Sequence, residues 1–282
     1  MPAPTDTLTA ADGIALHWHR WPRAGAHGRV LIVHGLGEHA GRYAHVAAHL
    51  NAAGYDVLAF DQRGHGLSGG PRGDVPDAQA RLQDVALAID AARAGWAGPL
   101  VLLGHSLGGL VAARFVAGGL ESPRPAWARE VDALLLSSPA LDPGMSALQK
   151  LLLAVAGRLA PHVALGNGLD PAWISRDPAV VAAYRADPLV HDRVTAALVQ
   201  FIVDGGAFVE RTASRWTTPT LLMWAGADRC VAPAGSARFA AAAPAAVVQH
   251  REFAGLSHEL FNEPEKAEVL ALLTDWLAQR LP

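Results

Sequence analysis

A serine bracketed by glycines, Gly104-His105-Ser106-Leu107-Gly108 with Gly109 following, is the stretch of this chain best suited to chemistry. It directly follows the apolar run Pro99-Leu100-Val101-Leu102-Leu103 and directly precedes Leu110-Val111-Ala112-Ala113-Arg114-Phe115-Val116. A serine forced into a sharp strand-to-helix turn needs glycines two residues before and after it, because a Cβ there would meet crowded backbone. Such a turn lifts the Ser106 hydroxyl clear and sets it at a helix N-terminus, where the Leu107 N–H faces a developing oxyanion. The competing reading, a Gly-rich turn with an incidental serine, explains the pentapeptide but not the strand and helix on either side.

A hydroxyl is a weak nucleophile near neutral pH, so Ser106 needs a histidine to take its proton and an acid to hold that histidine's tautomer. For a serine in this kind of turn the chain order is serine, acid, histidine. Among 13 histidines, His258 lies in Phe253-Ala254-Gly255-Leu256-Ser257-His258-Glu259, a loop after the last expected strand, and is the base of choice. His250 falls inside that strand, and His162 and His191 fall in a helical insertion. Asp228, in Gly226-Ala227-Asp228 after the strand Thr220 to Ala225, is the expected acid, at the carboxyl end where loops of a parallel sheet converge. A turn or helix-capping aspartate is its competing reading.

The second oxyanion donor is expected from His34-Gly35-Leu36-Gly37, after the strand Val30 to His34, which makes the Leu36 N–H the partner of Leu107. Asp61-Gln62-Arg63-Gly64-His65-Gly66-Leu67-Ser68 is dense in polar groups, and Asp61, Arg63 and His65 read as a hydrogen-bonded brace beneath the site. No metal is expected: His34, His39 and His65 have no carboxylate or thiolate partner at ligand spacing. No cofactor is expected either, since the glycines at 104, 108 and 109 do not fit a dinucleotide fingerprint.

These groups need a scaffold that brings strand ends together. Thr7 to Trp21 reads as a hairpin turning at Asp12-Gly13, and Arg29-Val30-Leu31-Ile32-Val33-His34 as a strand buried on both faces. A helix (Tyr43 to Ala53), a strand (Asp56 to Phe60), a helix (Asp77 to Ala94), the strand ending at Gly104 and the helix after Ser106 follow. Val131 to Ser137, Thr220 to Ala225 and Val247 to Phe253 are further strands, with a last helix from Pro264 to Gln279. Alternation of this kind means an α/β domain with a mostly parallel central sheet and flanking helices. The whole chain, 1–282, reads as that one domain, with a helical cap at 139–206 inserted in it. There the alternation stops, and Leu148, Leu152, Val155 and Leu159 form a helical stripe. Burial against the core is expected to absorb most of these leucines, with Leu151 and Leu153 candidates for an acyl tunnel or transient contact with a membrane surface.

Composition narrows the classes. Hydrophobic residues make up 51% of the chain, enough for a large core, and the formal net charge of −3 without a basic stripe argues against nucleic acid as a partner. The single cysteine, Cys230, excludes an internal disulfide and reads as a small buried hydrophobe or a pocket thiol. Met1 to Asp6 has neither a basic nor an apolar leader segment, and the expected location is cytoplasmic.

The chain resembles α/β-hydrolases of the monoacylglycerol lipase and lysophospholipase type along essentially its whole length. The resemblance rests on His34-Gly-Leu-Gly-Glu38-His39-Ala-Gly-Arg42-Tyr43, on Asp61 to Ser68, on Gly104 to Gly108, and on Ala227-Asp228 and Ser257-His258. It implies the α/β-hydrolase fold, a cap over an acyl channel, and a serine carboxylic-ester hydrolase working on a small lipid ester. Glu38, Arg42 and the cap residue Tyr184, before Asp187-Pro188-Leu189, would shape the polar end near the leaving alcohol. A structural ion pair for Glu38 and Arg42, and a packing role for Tyr184, are the alternatives. The chain departs from the mammalian lipases at Phe261, where they carry a polar histidine. A general carboxylesterase or lysophospholipase, an amidase or proline-type peptidase using the same triad, and a hydrolase-fold binding protein without catalysis are the other functions weighed.

Overall fold

The computed structural model describes residues 7–281; Met1 to Asp6, read above for a leader segment, lie outside the described residues. In chain order the strands and helices are β1 (Thr7–Thr9), β2 (Ala15–Trp21), β3 (Gly28–Val33), α1 (Ala44–Ala52), β4 (Tyr55–Phe60), α2 (Ala80–Arg93), β5 (Leu100–His105), α3 (Ser106–Gly118) and β6 (Ala133–Ser137). There follow α4 (Ala147–Leu159), β7 (Leu165–Gly166), α5 (Pro178–Ala186), β8 (Arg193–Val194), α6 (Ala196–Thr212), β9 (Thr220–Ala225), α7 (Pro233–Ala242), β10 (Val248–Phe253) and α8 (Lys266–Arg280).

Eight strands form one sheet in the order β1-β2-β4-β3-β5-β6-β9-β10, parallel from β4 to β10 and antiparallel only where β2 meets β1 and β4. The β1–β2 connection is the expected hairpin, with Gly13 in the left-handed region at φ +83°. Strands β3, β4, β5, β6 and β9 are buried along their whole length or nearly so, because helices cover both faces. Leu31 and Val33 point into the layer packed by α2, α3, α6 and α7, while Val30 and Ile32 point into the layer packed by α1 and α8. From β3 the chain steps outward to β4 and then returns to the other side of β3 with β5, so the order reverses between β3 and β5. Loops leaving the carboxyl ends of those two strands diverge there and leave a crevice.

Two expectations about the insertion change, and the last strand lies at the sheet's edge. Strand β10 is an edge strand, buried only at Val248 and Phe253, so its four central side chains are solvated. The insertion after β6 has no clean end at Gly206: α6 runs on to Thr212, and Leu198, Phe201, Ile202 and Val209 pack it against α3 as a core helix. The α4 stripe is not buried. Leu153 alone is covered, while Leu148, Leu151, Leu152, Val155 and Leu159 stand between 48% and 81% exposed. No helix among the described residues is long and apolar enough to cross a membrane.

Candidate active site

Ser106 begins α3 immediately after β5 and has φ +53°, a left-handed backbone that a residue with a Cβ rarely adopts. The glycines around it are required by neighbouring backbone. A Cβ on Gly104 would stand 2.5 Å from the Gly108 carbonyl oxygen, and one on Gly108 would stand 2.1 Å from that of Val33. On Gly109 it would meet Pro139 at 2.8 Å. Close packing of β5, α3 and β3 thus drives the serine outward at the sheet's carboxyl edge.

The other two expected residues meet it there. His258 Nε2 lies 2.8 Å from Ser106 Oγ, and His258 Nδ1 lies 2.6 Å from Asp228 Oδ2. Asp228 is oriented in turn by two amides, since its Oδ1 accepts from the N–H of Cys230 at 2.8 Å and of Val231 at 3.1 Å. Burial alone would raise the Asp228 pKa, but His258 and these amides hold it below the ordinary carboxylate value. Burial opposes charge on His258, yet Asp228, followed by Glu259 and Glu38, outweighs it and moves the imidazole upward. Nδ1 therefore carries the proton toward Asp228, and Nε2 is left to accept from the serine.

The Leu36 N–H, in the loop leaving β3, has no protein acceptor among the described residues. Leu107 is the second residue of α3, so its N–H lacks an intrahelical partner and lies at the positive end of the helix dipole. Neighbouring His105 donates from Nδ1 to the Ser137 carbonyl at 3.0 Å, and burial pushes its pKa down to about 3, so it adds no charge beside His258. A cavity of about 360 Å³ opens over Ser106, with Leu36, Leu169, Pro171, Ile174 and Val190 as its apolar wall. Glu38, Tyr184, Cys230 and Glu259 also line it. Burial, with Asp228 and Glu259 adding to it, pushes the Cys230 thiol up, so no thiolate competes with Ser106. Among the described residues the one group of three side chains close enough to share a metal ion is Asp228, Cys230 and His258, two of which already share a proton.

The profile of the family described as serine aminopeptidase, S33, matches residues 24–265, and so spans all of these positions. The chain belongs to this S33 family of α/β-hydrolases. It is 36% identical over 280 residues to a monoacylglycerol lipase of Mycolicibacterium smegmatis, covering 98% of this chain and 97% of that one. It is 31% identical over 281 residues to the human monoglyceride lipase, covering 97% and 90%. The crystal structure of the Paleococcus ferrophilus monoacylglycerol lipase superimposes with a TM-score of 0.81 at 35% identity, over 94% of this chain and 99% of that one.

In this S33 hydrolase Glu38, Arg42 and Tyr184 are drawn together, though not equally into the cavity. Glu38 Oε1 accepts from the Gly35 N–H at 2.6 Å and the Tyr43 hydroxyl at 2.7 Å, while Arg42 Nη1 donates to Oε2 at 2.5 Å. Burial opposes the Glu38 charge, but Arg42 and neighbouring donors lower its pKa to about 2. The Arg42 guanidinium lies 4.7 Å from the Tyr184 ring centre and does not itself line the cavity. Phe261 is buried in the α1–α8 layer, away from that lining.

The expected brace is present in part. Asp61 accepts from His19 Nε2 and from the N–H of Ala40 and Leu67, and Arg63 binds Asp84 through two bonds of 2.6 and 2.7 Å. The His65 imidazole bonds the Arg63 carbonyl through Nδ1 and no side-chain charge of Asp61 or Arg63. Two carboxylates in the family member's base loop escaped sequence reading. Glu263 accepts from the N–H of Ser257 and from Ser175 and Arg176 of the insertion, which fixes the residue before His258. Glu259 binds Arg42 across 217 residues of chain, and only its adjacency to His258 could have drawn attention to it.

Proposed function

We propose that this chain is a serine carboxylic-ester hydrolase cleaving monoacylglycerol-like or related lipid esters through an acyl-enzyme. The observation that carries the reading is the 2.8 Å contact between His258 Nε2 and Ser106 Oγ, backed by Asp228 at 2.6 Å. Ser106 Oγ attacks the ester carbonyl as His258 Nε2 takes its proton, and Asp228 stabilises the imidazolium. The tetrahedral oxygen receives the N–H groups of Leu36 and Leu107. His258 then returns the proton to the departing alcohol. A water molecule, deprotonated by the same nitrogen, attacks the acyl-enzyme, the acid leaves, and Ser106 regains its proton.

The relatives named above support a lipid ester, and the apolar wall of the cavity suits an acyl chain. Glu38 and Tyr184 form the polar end for the alcohol, with Arg42 holding them from behind. The part of segment 139–206 that precedes α6 acts as the cap over the acyl chain, and the exposed leucines of α4 favour transient contact with a membrane surface. The lone cysteine leaves the fold independent of oxidation, which suits a cytoplasmic location.

The decisive experiment is a screen of monoacylglycerols, lysophospholipids, short aryl esters and aminoacyl amides on the wild type beside Ser106→Ala, with fluorophosphonate labelling. Ester turnover and labelling that vanish together in the variant support the proposal. Preference for amides, or labelling that persists, overturns it.

A further inference from the structure

Two buried carboxylates share one guanidinium beside the triad. Arg42 donates from Nη1 and Nη2 to the two oxygens of Glu259 at 2.6 and 2.7 Å, and its Nη1 also reaches Glu38 Oε2 at 2.5 Å. Further donors hold both carboxylates. Glu259 Oε2 accepts from Asn262 Nδ2 at 2.7 Å, and Glu38 Oε1 takes the Tyr43 hydroxyl and the Gly35 N–H. Glu259 directly follows His258, and Gly35 directly precedes Leu36. One unbroken path of short, charge-assisted bonds therefore runs from the base loop to the loop of the expected oxyanion donor.

Paired planar groups resist bending and sliding in a way that a single contact does not, so this path sets spacing as well as proximity. Gly35 gives an independent sign of tightness: a Cβ there would stand 2.9 Å from Glu38 Oε1 and 3.2 Å from Ser106 Cβ. Resting on the ester-hydrolase reading, we infer that Glu259 is a positioning residue that, through Arg42 and Glu38, fixes the Leu36 loop relative to His258. Base and oxyanion donor then keep one separation through acylation and deacylation. The cluster also holds two carboxylates against one cation, and the surplus negative charge favours the imidazolium that each half-reaction forms.

Glu259→Gln and Glu259→Ala, made in the full chain, test this with a soluble p-nitrophenyl ester. Each lowers kcat by roughly 10- to 100-fold with KM little changed, the size expected when reacting groups are slightly misplaced. In Glu259→Gln, which preserves side-chain shape, the acid limb of kcat/KM moves to lower pH because a negative charge near His258 is gone. A role confined to stability would lower Tm and leave that limb in place. Because Glu259 acts through Arg42, Arg42→Ala with Glu259→Ala is no slower than Arg42→Ala alone. Wild-type kcat with an unmoved acid limb in Glu259→Gln, or losses that multiply in the double variant, overturns the inference. If Glu259→Ala does not fold, Glu259→Gln alone decides. A wild type inert toward every ester and unlabelled by a fluorophosphonate instead removes the reading on which the inference rests.

Discussion

Gly108 and Val33 approach so closely that a Cβ on the glycine would stand 2.1 Å from the valine carbonyl oxygen. Strand β3, which carries the Leu36 loop, and helix α3, which carries Ser106, are spaced by that contact. Gly108→Ala must push them apart. We expect kcat to fall by roughly 100-fold and stability by about 1–3 kcal/mol, read by ester turnover and denaturant melts. Gly157, inside α4, is the control, because an added methyl group there would have nothing within 4 Å. Gly157→Ala stabilises by about 0.5–1 kcal/mol and leaves turnover unchanged; destabilisation would contradict the open surroundings.

Asp228 holds the tautomer of His258, so Asp228→Asn presents an amide that can donate where an acceptor is needed. Turnover should drop by roughly ten-thousandfold with the fold intact. A loss below about tenfold would mean that another acid orients the histidine.

Activity depends on pH with a definite sign. His258 must be neutral to accept the serine proton, and its pKa lies above the ordinary imidazole value, so kcat/KM rises with pH along a limb centred above about 6.5. A limb centred below that value would exclude the Asp228 contact from the working enzyme. Stability follows the same linkage: tighter proton binding by His258 in the fold stabilises it below about 6.5, and this contribution fades as pH rises through the higher folded value. His191 and His105 act oppositely. Burial first, and for His105 the neighbouring His258, lowers them to about 4 and about 3, so their neutral forms stabilise the fold above about 6.5. That contribution is lost as pH falls through those values. Tm should therefore fall between about pH 6 and pH 4, and less steeply in His191→Asn.

These pairs show what a linear reading reaches. Ser106 and Asp228 were legible because each follows an apolar run and His258 because it follows the last expected strand, and the strand pattern puts such ends on one edge. Glu259 was not, since its partner Arg42 is 217 positions away and nothing local marks the pairing. The α4 leucines misled for a different reason: periodicity identifies an apolar face without saying what covers it. The apolar face of α6, by contrast, is covered, because α3 lies beneath it.

The acyl chain should matter in proportion to the apolar wall it covers. Leu36, Leu169, Pro171, Ile174 and Val190 line a cavity of about 360 Å³, a space that shields only part of a long chain from water. Extending the acyl group of a glyceride from about four carbons should raise kcat/KM by up to ~0.8 kcal/mol per methylene while the wall lasts, then level off. A series that peaks at the shortest acyl group would place the chain outside this cavity.

The outward leucines of α4 supply the last prediction. Leu148, Leu151, Leu152 and Leu159 are each more than half exposed, and Leu169, 38% exposed, is an apolar residue of the cavity lining that also reaches solvent. Leaving that much apolar surface in water is unfavourable by about 25 cal/mol per Å², and a bilayer surface would relieve it. Replacing the four leucines by serine should abolish co-sedimentation with neutral phosphatidylcholine vesicles. It should also slow turnover of vesicle-borne monoacylglycerol while sparing a soluble p-nitrophenyl ester, because Ser106, Asp228 and His258 lie on the sheet edge and not on α4. Equal losses on both substrates would mean that α4 shapes the catalytic cavity itself. Retained vesicle binding would move the membrane-facing surface elsewhere on the molecule.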